Sequence, residues 1–201
     1  MLHQAMAAPD TRHTLLSNMF AARKRVFIDL LKWDLPVTNG RYEIDRFDTP
    51  QAAYLMLAGQ DGEHRASARL LATCTPHILD TLFPTLCDED IPRAAGIAEI
   101  TRFCLDRGLR ASDRRIVRDA LVHALARHAL DNGITCYTGV AETGWLEQIL
   151  AFGWRCRLLG EPRTIGGSRL GALIIEIDED TPSRLERQGL VNNAAETCHV
   201  L

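Results

Sequence analysis

Residues 96–105 read as a strand whose apolar positions include Ile97, Ile100 and Phe103, yet the same run carries Glu99 and Arg102. A carboxylate or a guanidinium buried without a partner is strongly unfavourable, so any fold of this chain must pair these charges or put them to use. Strict alternation places Glu99, Thr101 and Phe103 on one face and Ile100, Arg102 and Cys104 on the other. A structural ion pair and a functional site are both compatible with that pattern. Arg69 repeats the problem among the apolar residues of a second strand, Ala66 to Cys74.

The surrounding chain supplies the elements to enclose such charges. Leu15, Leu16, Met19, Phe20, Val26, Phe27, Leu30 and Leu31 recur at three-and-four spacing and predict an amphipathic helix over 11–32. Pro36, Asn39 and Gly40 mark an irregular loop. Ala52 to Ala58 is a strand, turned by Asp61-Gly62 into its partner. A short helix fits 78–86. Ser112 caps a helix whose stripe runs Ile116, Leu121, Leu125 and Leu130, and Asn132-Gly133 stops it. Strands over 134–140, 154–159 and 170–177 enclose a helix over 143–152. The residues from Asp180 onward are polar and expected at the periphery. This order gives a single domain over 1–201, a mixed α/β sandwich around one central sheet.

The 201 residues, 46% hydrophobic and 24% charged, are enough to bury a core and exclude disorder and disulfide scaffolds. Charges interrupt every apolar run, so no membrane span is expected, and the first ten residues lack a secretion signal; a cytoplasmic protein is expected. A net charge of −3 gives no general attraction to nucleic acid. The six cysteines include no C-x-x-C pair and the seven histidines are scattered, so no metal site is expected. Of 23 basic Lys and Arg residues only Lys24 and Lys32 are lysines, leaving arginine to make nearly every cationic contact.

A further cluster joins Arg23, Phe27 and Trp33 to the acids of Glu43-Ile44-Asp45-Arg46-Phe47-Asp48. The series Arg23-x-x-x-Phe27, Trp33, Glu43-x-Asp45-x-Phe47-Asp48, Arg69-Leu70-Leu71, Phe83 and Glu99-x-x-Arg102-Phe103 resembles the acyl-homoserine-lactone (autoinducer) synthases. The motifs cover residues 20–105, about half the chain, and beyond them the likeness is one of element order. Leu30 departs from the pattern, standing where that family usually has a basic residue.

The resemblance implies an N-acetyltransferase-like α-β-α sandwich. It also implies two substrates, S-adenosylmethionine and an acyl thioester, and no separate cofactor. The products would be an N-acyl-L-homoserine lactone and 5′-methylthioadenosine. On this reading Asp45 and Asp48 hold the cationic amino-acid end of S-adenosylmethionine, and Arg23 or Arg102 pairs with its carboxylate, beside Arg69. Phe27 and Trp33 pack on the nucleoside or sulfonium. Glu99 is the candidate base that frees the amine for attack, its pKa raised by burial, and Arg102 acts with it.

The acyl pocket is expected to draw on Phe83, Leu105, Val122, Val140, Trp145, Leu146 and Ile149. Arg110, Arg114 and Arg118, spaced i, i+4, i+8, are candidates for docking an acyl carrier protein if the helix begins early, and acyl-coenzyme A is the other possible donor. The absence of threonine at Val140, Ala141 and Glu142 points to an acyl chain unsubstituted at C3. The competing readings are a conventional acetyl-coenzyme A N-acetyltransferase acting on a small amine and a nucleic-acid-docking regulator using Arg107 to Arg118.

Overall fold

The structure is a computed structural model and describes residues 4–6, 9–190 and 197–201. Along the chain come β1 (Gln4–Met6), α1 (Pro9–Arg23), β2 (Val37–Thr38), β3 (Tyr42–Glu43), β4 (Ala53–Ala58), β5 (His64–Ala72), α2 (Ile78–Leu82) and β6 (Ile97–Leu105). They are followed by α3 (Ala111–Asp131), β7 (Cys136–Glu142), α4 (Thr143–Leu150), β8 (Arg155–Leu158), β9 (Arg163–Ile165), β10 (Ser168–Glu176), α5 (Thr181–Arg187) and β11 (Thr197–Val200). Strands and helices thus alternate as an α/β fold with parallel and antiparallel pairing.

Two compact units emerge from these elements. The first comprises Met1–Arg69, Arg102–Leu125 and Val191–Leu201; the second comprises Leu70–Thr101 and Ala126–Leu190. In the first unit β11 lies between β1 and β4, parallel to β1 with Cys198 opposite Gln4 and antiparallel to β4 with Cys198 opposite Leu57. Cys198 and Leu201 are buried there, so the segment read as a peripheral tail contributes a strand. Earlier in that segment Thr181–Arg187 form α5 in the second unit, with Leu185 buried.

The α1 helix buries Leu15, Met19 and Ala22, one stripe at helical spacing. Beyond Arg23 the winding loosens over Lys24–Leu30 into π-type turns, with the Leu31 N–H donating to the Val26 carbonyl at 2.9 Å. Lys32, at φ 60°, ends it. What the sequence presents as an irregular loop is a small hairpin of β2 and β3. Asn39 and Gly40 both take positive φ, and the Arg41 N–H reaches the Thr38 carbonyl at 3.1 Å. Within α3, Val117, Leu121 and Leu125 are buried but Ile116 is exposed, and the helix begins at Ala111, so Ser112 sits inside its first turn rather than at the cap.

In the second unit β6 runs parallel to β7, with Glu99 opposite Thr138, and β10 pairs antiparallel with β7, β8 and β9. Leu79, Leu86 and Ala172 form its buried cluster. Gly133, at φ 67°, lets the Ile134 N–H return to the Ala129 carbonyl and terminates α3 as the sequence indicates.

Candidate active site

The first unit gathers three arginines and three acids. Arg23, at the end of α1, is 1% exposed; its Nε donates to Glu43 and its two Nη groups grip Asp48 at 2.8 and 2.9 Å. Arg69, from β5, donates to Asp45 at 2.6 and 3.1 Å and lies 2.9 Å from Asp48. Arg102, from β6, reaches Glu43 at 3.1 Å and Asp45 at 2.7 Å through Nη2. The formal charges of the six side chains cancel, which is how this unit tolerates so many buried ions. Tyr54 adds its hydroxyl to Asp48 Oδ1 at 2.9 Å.

Local folding explains why these groups converge. The Asp45 carboxylate accepts the Phe47 N–H at 2.8 Å and Asp48 accepts the Asp45 N–H at 2.8 Å, so the acid segment is a turn locked by its own side chains. Arg102 has φ 51° in the middle of β6. A side-chain-bearing residue in that region marks a bulge, and strict alternation does not continue through it. Held conformations of this kind cost about 1–3 kcal/mol and persist only when surroundings over-determine them, as the two carboxylates on Arg102 do.

Aromatic rings cover this network. Phe27 stacks on Trp33 with centroids 4.9 Å apart and planes at 14°, and the Arg102 guanidinium lies 5.7 Å from the Phe27 centroid. Phe27 is buried whereas Trp33 is 37% exposed. The pair therefore forms a column from guanidinium to phenyl to indole, whose outer indole surface is open to a ligand.

The acids differ from the sequence expectation. Asp48 Oδ1 serves Arg23, Arg69 and Tyr54, while Oδ2 serves Arg23 and the Asp45 N–H. A carboxylate offers about four lone-pair sites, so Asp48 holds the arginines instead of meeting a cationic ligand. Asp45 is nearly as occupied. Burial alone pushes the Asp48 carboxyl up, but the hydrogen bonds and charge of Arg23, with Arg69 behind it, hold it well below the usual carboxylate range. Asp45 is likewise desolvated, yet Arg69 and then Arg102 lower it. Of the two arginines considered for a carboxylate, Arg23 is wholly committed. Arg102 is 10% exposed at its side chain, and its Nη1 has no hydrogen-bond partner among the described residues.

Glu43 and Tyr54 belong to this network although the sequence suggested no role for them. Glu43 lies within the acid motif, and that proximity was the available signal; Tyr54 sits on a strand and gives none.

In the second unit Glu99 is completely buried. Its two oxygens accept the Ile78 and Leu79 N–H groups at 2.7 and 2.8 Å, so it caps the start of α2. Phe83 and Val140 pack on Leu79, Leu86 and Ala172. Leu146 is buried, Trp145 meets Phe152 edge-on at 5.7 Å, and the Ile149 carbonyl accepts the Trp154 indole N–H at 2.8 Å. Leu105 and Val122 belong to the first unit, where Val122 is fully buried on α3.

The arginine stripe is not a free basic face. Arg110 bonds Asp113 at 3.2 Å, Arg114 donates to the Asp106 carbonyl at 3.2 Å, and Arg118 grips Asp119 at 2.5 Å. Each of these guanidiniums satisfies a local acceptor within its own loop or helix.

Acid should weaken the fold in two stages. Burial depresses the His64 pKa to about 4, an effect partly offset by Asp106. A depressed histidine contributes stability that is complete above its unfolded pKa of ~6.5 and lost as pH falls toward the folded value. The Asp45 and Asp48 contributions, present above an unfolded pKa of ~3.9, are lost only as pH falls further. Urea midpoints measured against pH are expected to decline gently from pH ~6.5 and steeply below pH ~4. A midpoint flat down to pH ~4 would contradict this assignment.

Among the described residues no group of three or more His, Cys, Asp or Glu side chains could hold a metal ion, and no helix is long and apolar enough to cross a membrane. A family model described as autoinducer synthase matches residues 9–185. The chain is 31% identical over 169 residues to an acyl-homoserine-lactone synthase of Ralstonia nicotianae, covering 81% of this chain and 82% of that protein. The solved structure of MesI, described as a CoA-dependent acyl-homoserine lactone synthase, is similar with a TM-score of 0.80 at 27% identity, over 92% of each chain. At 18% identity and a TM-score of 0.57, a putative N-acetyltransferase from Lactobacillus plantarum shares the fold over 86% of this chain and 95% of its own.

Proposed function

The chain belongs to the autoinducer synthase family, and from that membership we propose that it joins the amine of S-adenosylmethionine to an acyl thioester and closes the product to an N-acyl-L-homoserine lactone. The observation that carries the site assignment is Arg102: a guanidinium anchored by Glu43 and Asp45, stacked on Phe27, with Nη1 left over for a ligand carboxylate. The indole of Trp33 offers its outer face to the adenosyl or sulfonium group.

Two bond exchanges follow. In acylation the neutral amine attacks the thioester carbon; the C–N bond forms, the C–S bond breaks with its electron pair going to sulfur, and the amine nitrogen loses a proton that ends on the departing thiolate. Glu99, three residues before Arg102 on β6, receives that proton directly or through water. In lactonisation a carboxylate oxygen attacks the carbon next to the sulfonium, and 5′-methylthioadenosine departs with the sulfur's electron pair. The sulfonium is already a good leaving group, so the protein's work in this step is to hold the carboxylate bent toward that carbon.

The acyl chain occupies the apolar surfaces that include Phe83 and Val140 and is unsubstituted at C3, consistent with Val140, Ala141 and Glu142 lacking a hydroxyl. Both a carrier protein and coenzyme A are admissible donors; MesI, the similar structure, is CoA-dependent. Cytoplasmic residence fits these substrates. The test is incubation with S-adenosylmethionine and a panel of acyl donors, read by mass: homoserine lactones with plain acyl chains are expected. Mainly 3-oxo lactones would overturn the C3 assignment, and acylated small amines formed without S-adenosylmethionine would overturn the whole reading.

Two variants separate the roles. Trp33→Ala removes a stacking surface worth about 0.5–1.5 kcal/mol, so KM for S-adenosylmethionine is expected to rise roughly 2- to 12-fold. Glu99→Gln is expected to lower turnover at least ~100-fold if Glu99 takes the proton. Because glutamine also places an NH₂ against one of the α2 amides, circular dichroism must show the fold intact. Near-normal turnover in a folded Glu99→Gln protein would leave Glu99 only its capping role.

A further inference from the structure

We propose that Tyr54 is a positioning residue for the carboxylate of S-adenosylmethionine: its hydroxyl sets Asp48, and through Asp48, Arg69 and Asp45 it fixes the direction in which Arg102 meets that carboxylate. This rests on the reading above that Arg102 receives the substrate carboxylate. Every group involved lies within the first unit.

The path from phenol to guanidinium is continuous. Tyr54 donates its hydroxyl to Asp48 Oδ1 at 2.9 Å, and the same oxygen lies 2.9 Å from Arg69 Nη1. Arg69 donates to both Asp45 oxygens, at 2.6 and 3.1 Å, and Asp45 Oδ2 takes Arg102 Nη2 at 2.7 Å. A shift of the Asp48 carboxylate therefore reaches Arg102 through bonds that are each short and buried.

Tyr54 is a fixed post in this path. It is 4% exposed. Its backbone N–H donates to the Leu201 carbonyl at 3.1 Å and its carbonyl accepts the Leu201 N–H at 2.9 Å, so β4 is tied at this residue to the end of β11. Its ring meets Phe20 edge-on, with centroids 5.9 Å apart and planes at 86°, and the Arg23 guanidinium lies 5.1 Å from the Phe20 centroid. The arginines reach the acids on long side chains with many rotamers, whereas a tyrosine has two side-chain torsions and loses little freedom when held.

A neutral donor is also what the network requires. Three arginines already balance three acids, so a fourth cation would leave buried charge uncompensated, while an O–H restrains Asp48 without altering the sum. Burial, and then the charge of Asp48, push the phenol pKa above its ordinary value, so the hydroxyl keeps its proton and stays a donor.

The test is a calorimetric cycle over wild type, Tyr54→Phe, Arg102→Lys and the double variant, each titrated with S-adenosylmethionine and with its decarboxylated analogue. Phenylalanine keeps the ring, its contact with Phe20 and the charge balance, and removes only the hydroxyl. Tyr54→Phe is expected to weaken S-adenosylmethionine binding about 3- to 10-fold, the scale of one hydrogen bond, and to leave binding of the analogue unchanged. In the Arg102→Lys background the same substitution is expected to change neither, because the group through which it acts is gone. A role confined to stability would lower the denaturation midpoint and leave the preference between the ligands as in wild type. That result, equal weakening of both ligands, or an equal loss of preference with and without Arg102 would overturn the proposal. Phe20→Leu keeps the hydroxyl but removes the ring it leans on, and is expected to lose part of the same preference. It carries the test if Tyr54→Phe does not fold, and an unchanged preference there would then refute the role. Wild type binding the two ligands alike, by contrast, counts against the carboxylate reading of Arg102 itself.

Discussion

Replacing Asp48 with alanine is expected to cost about 3–5 kcal/mol of stability, a large part of the ~5–15 kcal/mol that holds a typical domain together. Asp48 accepts both Nη groups of Arg23, lies 2.9 Å from Arg69, and receives the Tyr54 hydroxyl. Its removal leaves two arginines, each about 1% exposed, short of a counter-charge where water cannot replace it. The loss comes less from the missing attraction than from the stranded cations. Accordingly, Arg23→Met combined with Asp48→Ala is expected to recover part of the stability, because an apolar side chain carries no charge to strand. Chemical denaturation of the three proteins checks this; an Asp48→Ala protein within ~0.5 kcal/mol of wild type would show the network to be dispensable.

Arg102→Ala is expected to abolish lactone formation, lowering kcat/KM for S-adenosylmethionine by at least ~100-fold, the scale of a lost charge-assisted contact together with misplacement of the reacting groups. The substitution also releases the bulge, because alanine has no guanidinium to bind Glu43 and Asp45 and no reason to stay at the φ of 51° seen at this position. Arg102→Lys distinguishes the two effects. Lysine preserves the charge that balances the acids but not the fork, so the fold is expected to hold while activity falls. Activity of Arg102→Lys close to wild type would mean that a point charge suffices there.

The sequence made the charged strand legible because Glu99 and Arg102 break an apolar run, and it made the acid segment legible because helical spacing does not account for Glu43, Asp45 and Asp48. It did not reveal which charge answers which. Alternation assigns Glu99 and Arg102 to opposite faces of a regular strand, but the bulge at Arg102 is fixed by contacts to residues about 60 positions earlier in the chain. Likewise, Asp48 reads as a ligand for a cation until Arg23, Arg69 and Tyr54 are brought to it by three different elements. The strand Thr197–Val200 escaped the sequence reading because it is short and lies amid polar residues; its place comes from backbone pairing with β4, which no local pattern encodes. For Arg110, Arg114 and Arg118 helical spacing suggests one shared face, but the helix begins only at Ala111, so Arg110 lies outside it, and each side chain has an acceptor close by in the chain.

The assignment of the substrate carboxylate to Arg102 is tested most directly by a calorimetric binding cycle. Wild type and Arg102→Lys are titrated with S-adenosylmethionine and with its decarboxylated analogue. Wild type is expected to prefer the carboxylate-bearing ligand by at least ~10-fold, about 1.4 kcal/mol, and Arg102→Lys to lose most of that preference while still binding the analogue as wild type does. An undiminished preference in folded Arg102→Lys would place the carboxylate elsewhere and contradict the account.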